Sequence, residues 1–163
     1  MNNLTKEEFI LRVNQETRYQ MDSIIQELRD SSDQFKIGEK ADKRSPLRNV
    51  LNVATDASSS LEVIKVFIRY QAGRKEGSEV WKIYKDGRSF AEVTTDRLDQ
   101  LNEDATQILK RVEVSLPDNH PLTSYFQTPE YQRDIEDLHL KLAQLYLGYL
   151  VREHTALVSQ SRK

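Results

Sequence analysis

A chain of 163 residues without cysteine is long enough to bury one domain's core, and it excludes disulfides, thiol nucleophiles and thiolate metal sites together. Charged residues make up 31% of it and apolar ones 37%, a balance that suits helices with one buried stripe each and broad solvated faces. The formal net charge of −2 provides no overall field to draw in a polyanion, so such a partner must be sought in how the charge is distributed.

The start, Met1-Asn2-Asn3-Leu4-Thr5-Lys6-Glu7, has neither a basic nor an apolar leader region, and no stretch approaches the roughly 18 apolar residues of a membrane span. A cytoplasmic location away from membranes is expected. Thr5 with Glu8 reads as a capping box, and Phe9, Val13, Met21, Ile24, Ile25 and Leu28 follow at helical spacing, which predicts a helix over 6–29. Asp30-Ser31-Ser32-Asp33 should break it, and a polar connection runs on to residue 44. Ser45 as N-cap and Pro46 in the first turn open a second helix, with Leu47, Val50, Leu51 and Ala54 on one face.

Ser59 and Glu62 suggest another capping box, before a helix over 61–72 that is apolar almost all round. That composition predicts the central, most buried helix, ended by Gly73. The segment 79–93 supports two readings. Val80-Trp81-Lys82-Ile83-Tyr84 before Asp86-Gly87 resembles half of a β-hairpin. Alternatively Asp86-Gly87 is a helix stop, and Ser89 caps a helix over 89–112 that carries Phe90, Val93, Leu98, Leu101, Ala105, Ile108, Leu109 and Val112. The helix is the preferred reading for 89–112, and 78–85 stays open.

Residues 116–121 are a loop by composition, and Thr128-Pro129 opens the last helix. Its stripe of Tyr131, Ile135, Leu138, Leu142, Leu145 and Tyr149 is spaced as in a heptad, and Gly148 within it implies a second backbone passing close by. Residues 158–163 read as a frayed tail. The expected fold is all-α: one domain over 1–163, a compact helical bundle of four to five helices, with an irregular or hairpin segment near 79–88.

No Gly-x-Ser-x-Gly elbow is present, and Gly73-Arg74-Lys75-Glu76-Gly77-Ser78 lacks the spacing of a Walker A loop. Glu136 and His139 have the spacing of a di-metal ligand pair, but neither His120 nor His154 has an acid three residues before it to supply a second. No catalytic residue, metal or cofactor is expected. The basic residues concentrate between 36 and 88, and a more acidic helix follows from Glu92 to Glu113. Lys65 and Arg69 share a helix face, Arg48 precedes them, and Arg74 and Lys75 lie in a glycine loop. Packed as a hairpin, the second and third helices would line these up as a strip for RNA phosphates, with no sequence preference and a marked salt dependence. Tyr70 and Trp81 have rings that can stack on bases, but they read as core.

Three stretches resemble the small subunit of type III CRISPR effector complexes of the Csm type: Ser45-Pro46-Leu47-Arg48-Asn49-Val50-Leu51, Val66-Phe67-Ile68-Arg69-Tyr70-Gln71-Ala72-Gly73-Arg74, and Leu145-Tyr146-Leu147-Gly148-Tyr149. The resemblance covers 45–157. The chain departs from the family at Pro46, at Gly148, in lacking a Tyr-His pair after it, and in its long N-terminal helix. The resemblance implies a non-catalytic helical subunit, present in several copies beside other CRISPR effector subunits, that lines the channel for target RNA and crRNA. It carries over Arg48, Arg69 and Arg74 as RNA-binding residues; Lys65 and Lys75 are added from charge and spacing. The acidic helix would then face a basic neighbour. The alternative is a helical adaptor that binds only protein, with Gly148 and the heptad stripe as a homo-oligomer seam.

Overall fold

The computed structural model describes residues 1–41, 46–76 and 78–163. They form a helical bundle: α1 (Asn3–Gln34), α2 (Pro46–Ala54), α3 (Leu61–Gly73), α4 (Phe90–Val114) and α5 (Glu130–Ser161), with a small hairpin of β1 (Tyr84–Lys85) and β2 (Arg88–Ser89) before α4. No helix among the described residues is long and apolar enough to cross a membrane.

The caps of α1 and α3 differ from expectation. Asn2 caps α1, its side-chain oxygen accepting the Thr5 N–H at 2.8 Å, so Thr5 lies inside the first turn. The helix also continues through Asp30-Ser31-Ser32-Asp33. Ser32 is fully buried and its hydroxyl donates to the Leu28 carbonyl at 2.7 Å, so the group that would have competed with the helix is absorbed by it. The second cap, expected at Ser45, lies outside the described residues. At α3 the cap is Ser60, not Ser59: its hydroxyl accepts the Val63 N–H at 3.3 Å.

The helix at the centre is α5, not α3. Its buried set is Ile135, Leu138, Leu142, Ala143, Tyr146, Leu147 and Leu150, a face wider than a heptad seam because α1, α2 and α4 all pack on it. Leu145, Tyr149 and Tyr131 of the expected stripe are only half-buried. By contrast α3 packs on α2 and α4 and turns Val63, Val66 and Tyr70 outward, at 48%, 60% and 57% exposure. All-round hydrophobicity was a poor guide, because only Ile64 and Ile68 among its large apolar residues are fully buried.

Each of the two readings of 79–93 holds in part: the hairpin forms, but Val80–Lys82 is a 3-10 turn and the strand only Tyr84–Lys85, while the helix starts at Phe90 although Asp86-Gly87 ends no helix before it. Asp86 and Gly87 both have positive φ (51° and 79°), as a type I′ turn needs, and they join β1 and β2 in an antiparallel register pairing Tyr84 with Ser89 and Lys85 with Arg88. Ser89, the last strand residue, is also the N-cap of α4. Its hydroxyl accepts the Glu92 N–H at 3.1 Å, and the Glu92 carboxylate accepts the Ser89 N–H at 2.7 Å. The Ser89 backbone N–H, and after it the Ser89 hydroxyl, hold the Glu92 carboxyl below its usual range. Fully buried Trp81 stacks on Phe90 with centroids 5.5 Å apart, anchoring the hairpin to the helix start.

The interface of α4 with α1 carries a polar seam. Arg97, Asp104 and Arg111 recur every seven residues on α4. Arg97 pairs with Glu27 at 2.8 Å and with Asp104 at 3.1 Å, Arg111 pairs with Glu16 at 2.8 Å, and Gln20 donates to Asp104 and accepts from Arg111. Rising numbers on α1 meet falling numbers on α4, so the two helices run antiparallel with the seam fixing their register.

Candidate nucleic-acid interface

The predicted strip separates into different environments. Arg48 is exposed on α2, Arg69 exposed on α3, Arg74 half-buried at the end of α3, and Lys75 exposed beyond it. Among the described residues no ion pair engages any of these four. The Arg74 guanidinium lies 5.6 Å from the centre of the Tyr70 ring, so Tyr70, read as core, instead forms an exposed cation–π pair.

Lys65 does not stand with them. It is 9% exposed, and its Nζ lies 2.8 Å from Glu62 Oε1 and 2.9 Å from Asp99 Oδ1. The spacing argument placed its ammonium beside that of Arg69, but α4 packs over this side of α3 and brings Asp99 to meet it. Hydrogen bonds to Glu62 and then Asp99 raise the Lys65 pKa above its ordinary value, outweighing burial. A lysine raised in the folded state contributes stability that is present below its unfolded pKa, about 10.4, and lost as pH rises through the folded value. Unfolding titrations of wild type and Lys65→Met should therefore show the wild type losing ground to the variant as pH rises above about 10.4.

The acids of α4 are met largely from within the chain. Asp96 pairs with Arg88, Asp99 with Lys65 and Asp104 with Arg97, while Glu92 is used in the capping box. A basic neighbour is not needed to balance them.

What the fold does bring together is a basic cluster that sequence spacing missed. A cleft of about 540 Å³ opens between the C-terminal end of α3, the hairpin and the first turns of α4. Arg69 lines it with Lys82 and Arg88, and Lys82 Nζ donates to the Arg74 carbonyl. Lys82 and Arg88 were legible only as members of the basic stretch, because the I′ turn that folds them back beside α3 stood as one of two readings. Arg48 does not line this cleft.

The first and third stretches of the family resemblance meet at Leu51, whose Cδ1 would lie 3.9 Å from a Cβ on Gly148, and just outside them Gln144 donates to the Ala54 carbonyl at 2.9 Å. His139 is half-buried and donates from Nε2 to the Leu98 carbonyl at 2.7 Å, so it serves the packing of α5 on α4. Among the described residues no group of three or more His, Asp or Glu side chains is placed to hold a metal ion. No family model matches the chain, and neither a curated protein nor a solved structure matches it.

Proposed function

We propose that the chain is a non-catalytic, RNA-binding subunit of a type III CRISPR ribonucleoprotein, holding the backbone of crRNA or target RNA without sequence preference. The observation that carries this reading is the set of cations at the end of α3, Arg69, Arg74 and Lys75, which have no ion pair among the described residues, next to Lys82 and Arg88. Guanidinium groups without carboxylate partners remain available for phosphate oxygens. Arg48 joins the set by the family resemblance, and Lys65 leaves it because its charge is already used.

Salt titration of single-stranded RNA binding tests the reading. Each lost contact with single-stranded nucleic acid reduces the slope of log K against log salt by about 0.7, so the Arg48, Arg69, Arg74→Ala triple variant should lose about 2 from that slope. Lys65→Met should keep the wild-type slope. A triple variant with wild-type affinity and slope would refute the strip.

A protein-only adaptor is the second reading, and one observation favours it: Val63, Val66 and Tyr70 form an exposed apolar stripe on α3. The seam first suggested for it, on α5, is instead largely occupied within the chain.

A further inference from the structure

The cleft between α3, the hairpin and α4 contains more than positive charge. Of its charged groups, Arg88 pairs with Asp96, the Lys82 ammonium is bound to the Arg74 carbonyl, and Glu92 is consumed by its cap. Arg69 remains, exposed and without an ion pair among the described residues. Trp81, fully buried, forms part of the wall. Tyr84, which also lines the cleft, is 67% exposed, a large ring left in water on the strand before the Asp86-Gly87 turn.

A flat exposed ring and a guanidinium with no ion pair among the described residues thus line a space of about 540 Å³, within the usual size range of small-ligand sites, about 300–1,000 Å³. We propose that this cleft seats one nucleotide unit of single-stranded RNA, its base stacked on Tyr84 and its phosphate on Arg69. This rests on the RNA-binding reading and extends it, since the strip explains backbone affinity and the cleft adds a place for a base. Stacking on an aromatic ring accepts any base, which agrees with binding that has no sequence preference.

The test uses the full-length protein and a short oligouridylate carrying one internal 2-aminopurine, whose fluorescence falls when it stacks. Wild type should quench the probe. Tyr84→Ala should bind about tenfold more weakly, lose the quenching and keep the salt slope, and Tyr84→Phe should restore both affinity and quenching. Tyr84 is exposed, so its loss leaves the core intact. If Tyr84→Ala binds and quenches as wild type does while the triple arginine variant loses affinity, the cleft proposal is overturned and the strip stands. If wild type shows no salt-dependent RNA binding, the strip reading fails and takes the cleft with it. If Tyr84→Ala loses affinity for a polyglutamate peptide but not for RNA, the cleft belongs to an acidic protein and the proposal is overturned.

Discussion

Replacing Arg97 by alanine is expected to lower the unfolding free energy by about 3 kcal/mol, near the lower end for breaking a buried ion pair. The guanidinium is the pivot of the α1–α4 seam, bonded to Glu27 and Asp104, and both its side chain and that of Asp104 are largely buried (14% and 12% exposed). Without it, Asp104 retains only the Gln20 amide, so a buried carboxylate loses its counter-charge. Glu27 is 54% exposed and turns to water at little cost. The effect extends to α5: burial pushes the Tyr146 phenol up to about 12, and Arg97 pulls it the other way, so the variant should raise it further. Urea unfolding of Arg97→Ala checks the magnitude. An Arg97→Met, Asp104→Leu double variant separates the loss of one partner from the value of the pair, and it should recover most of the deficit, because removing both charges leaves none unpaired. A double variant as unstable as Arg97→Ala would mean that the seam's hydrogen bonds, and not its uncompensated charge, dominate.

The seam also shows what the sequence could and could not reveal. The helical class, the loop at 116–121 and the entry to α4 were readable, because periodicity and capping depend on residues three or four apart. Ser89 with Glu92 is such a local signal, and so is Asp86-Gly87; each was correctly recognised, and the difficulty lay only in treating them as rivals. Which helix is central was not readable, because α3 and α5 are both apolar and burial depends on how many neighbours pack around each. Charge pairing was hidden for the same reason. Arg97, Asp104 and Arg111 look like ordinary solvated charges until α1 is laid antiparallel beside them. Lys65 looked like a ligand for phosphate until Asp99, 34 residues away, was brought against it. Of the candidate site, the arginines at the end of α3 were legible. Lys82, Arg88 and the cleft were not, since they depend on the hairpin folding back on α3.

The glycines give the second large expected effect, at a position the sequence did not single out. Gly148 looked like the point of close backbone approach, but a Cβ there would meet only Leu51 Cδ1 at 3.9 Å, an ordinary contact. Gly38, in the turn after α1, is where the chains nearly touch: a Cβ would lie 2.6 Å from Leu157 Cβ and 2.8 Å from its carbonyl carbon. The turn is fastened on both sides of that contact, by Ser161 Oγ donating to the Gly38 carbonyl at 3.0 Å and His154 Nε2 donating to the Lys40 carbonyl at 2.8 Å. This is also why α5 stays helical to Ser161, through the stretch read as a frayed tail. Gly38→Ala should therefore push the turn off α5 and lower stability by about 1–3 kcal/mol, the usual cost of overpacking. Gly148→Ala should raise stability by about 0.5–1 kcal/mol, since it removes a helix-interior glycine without a clash. The two variants carry the same chemical change, so opposite signs in one set of urea unfolding curves isolate the packing at Gly38. In Gly38→Ala, amide hydrogen exchange should accelerate first in residues 154–161, where the turn no longer holds the helix end. Equal and small effects from both substitutions would mean that the turn can shift away from α5 without loss, and that its hydrogen bonds to Ser161 and His154 do not hold it in place.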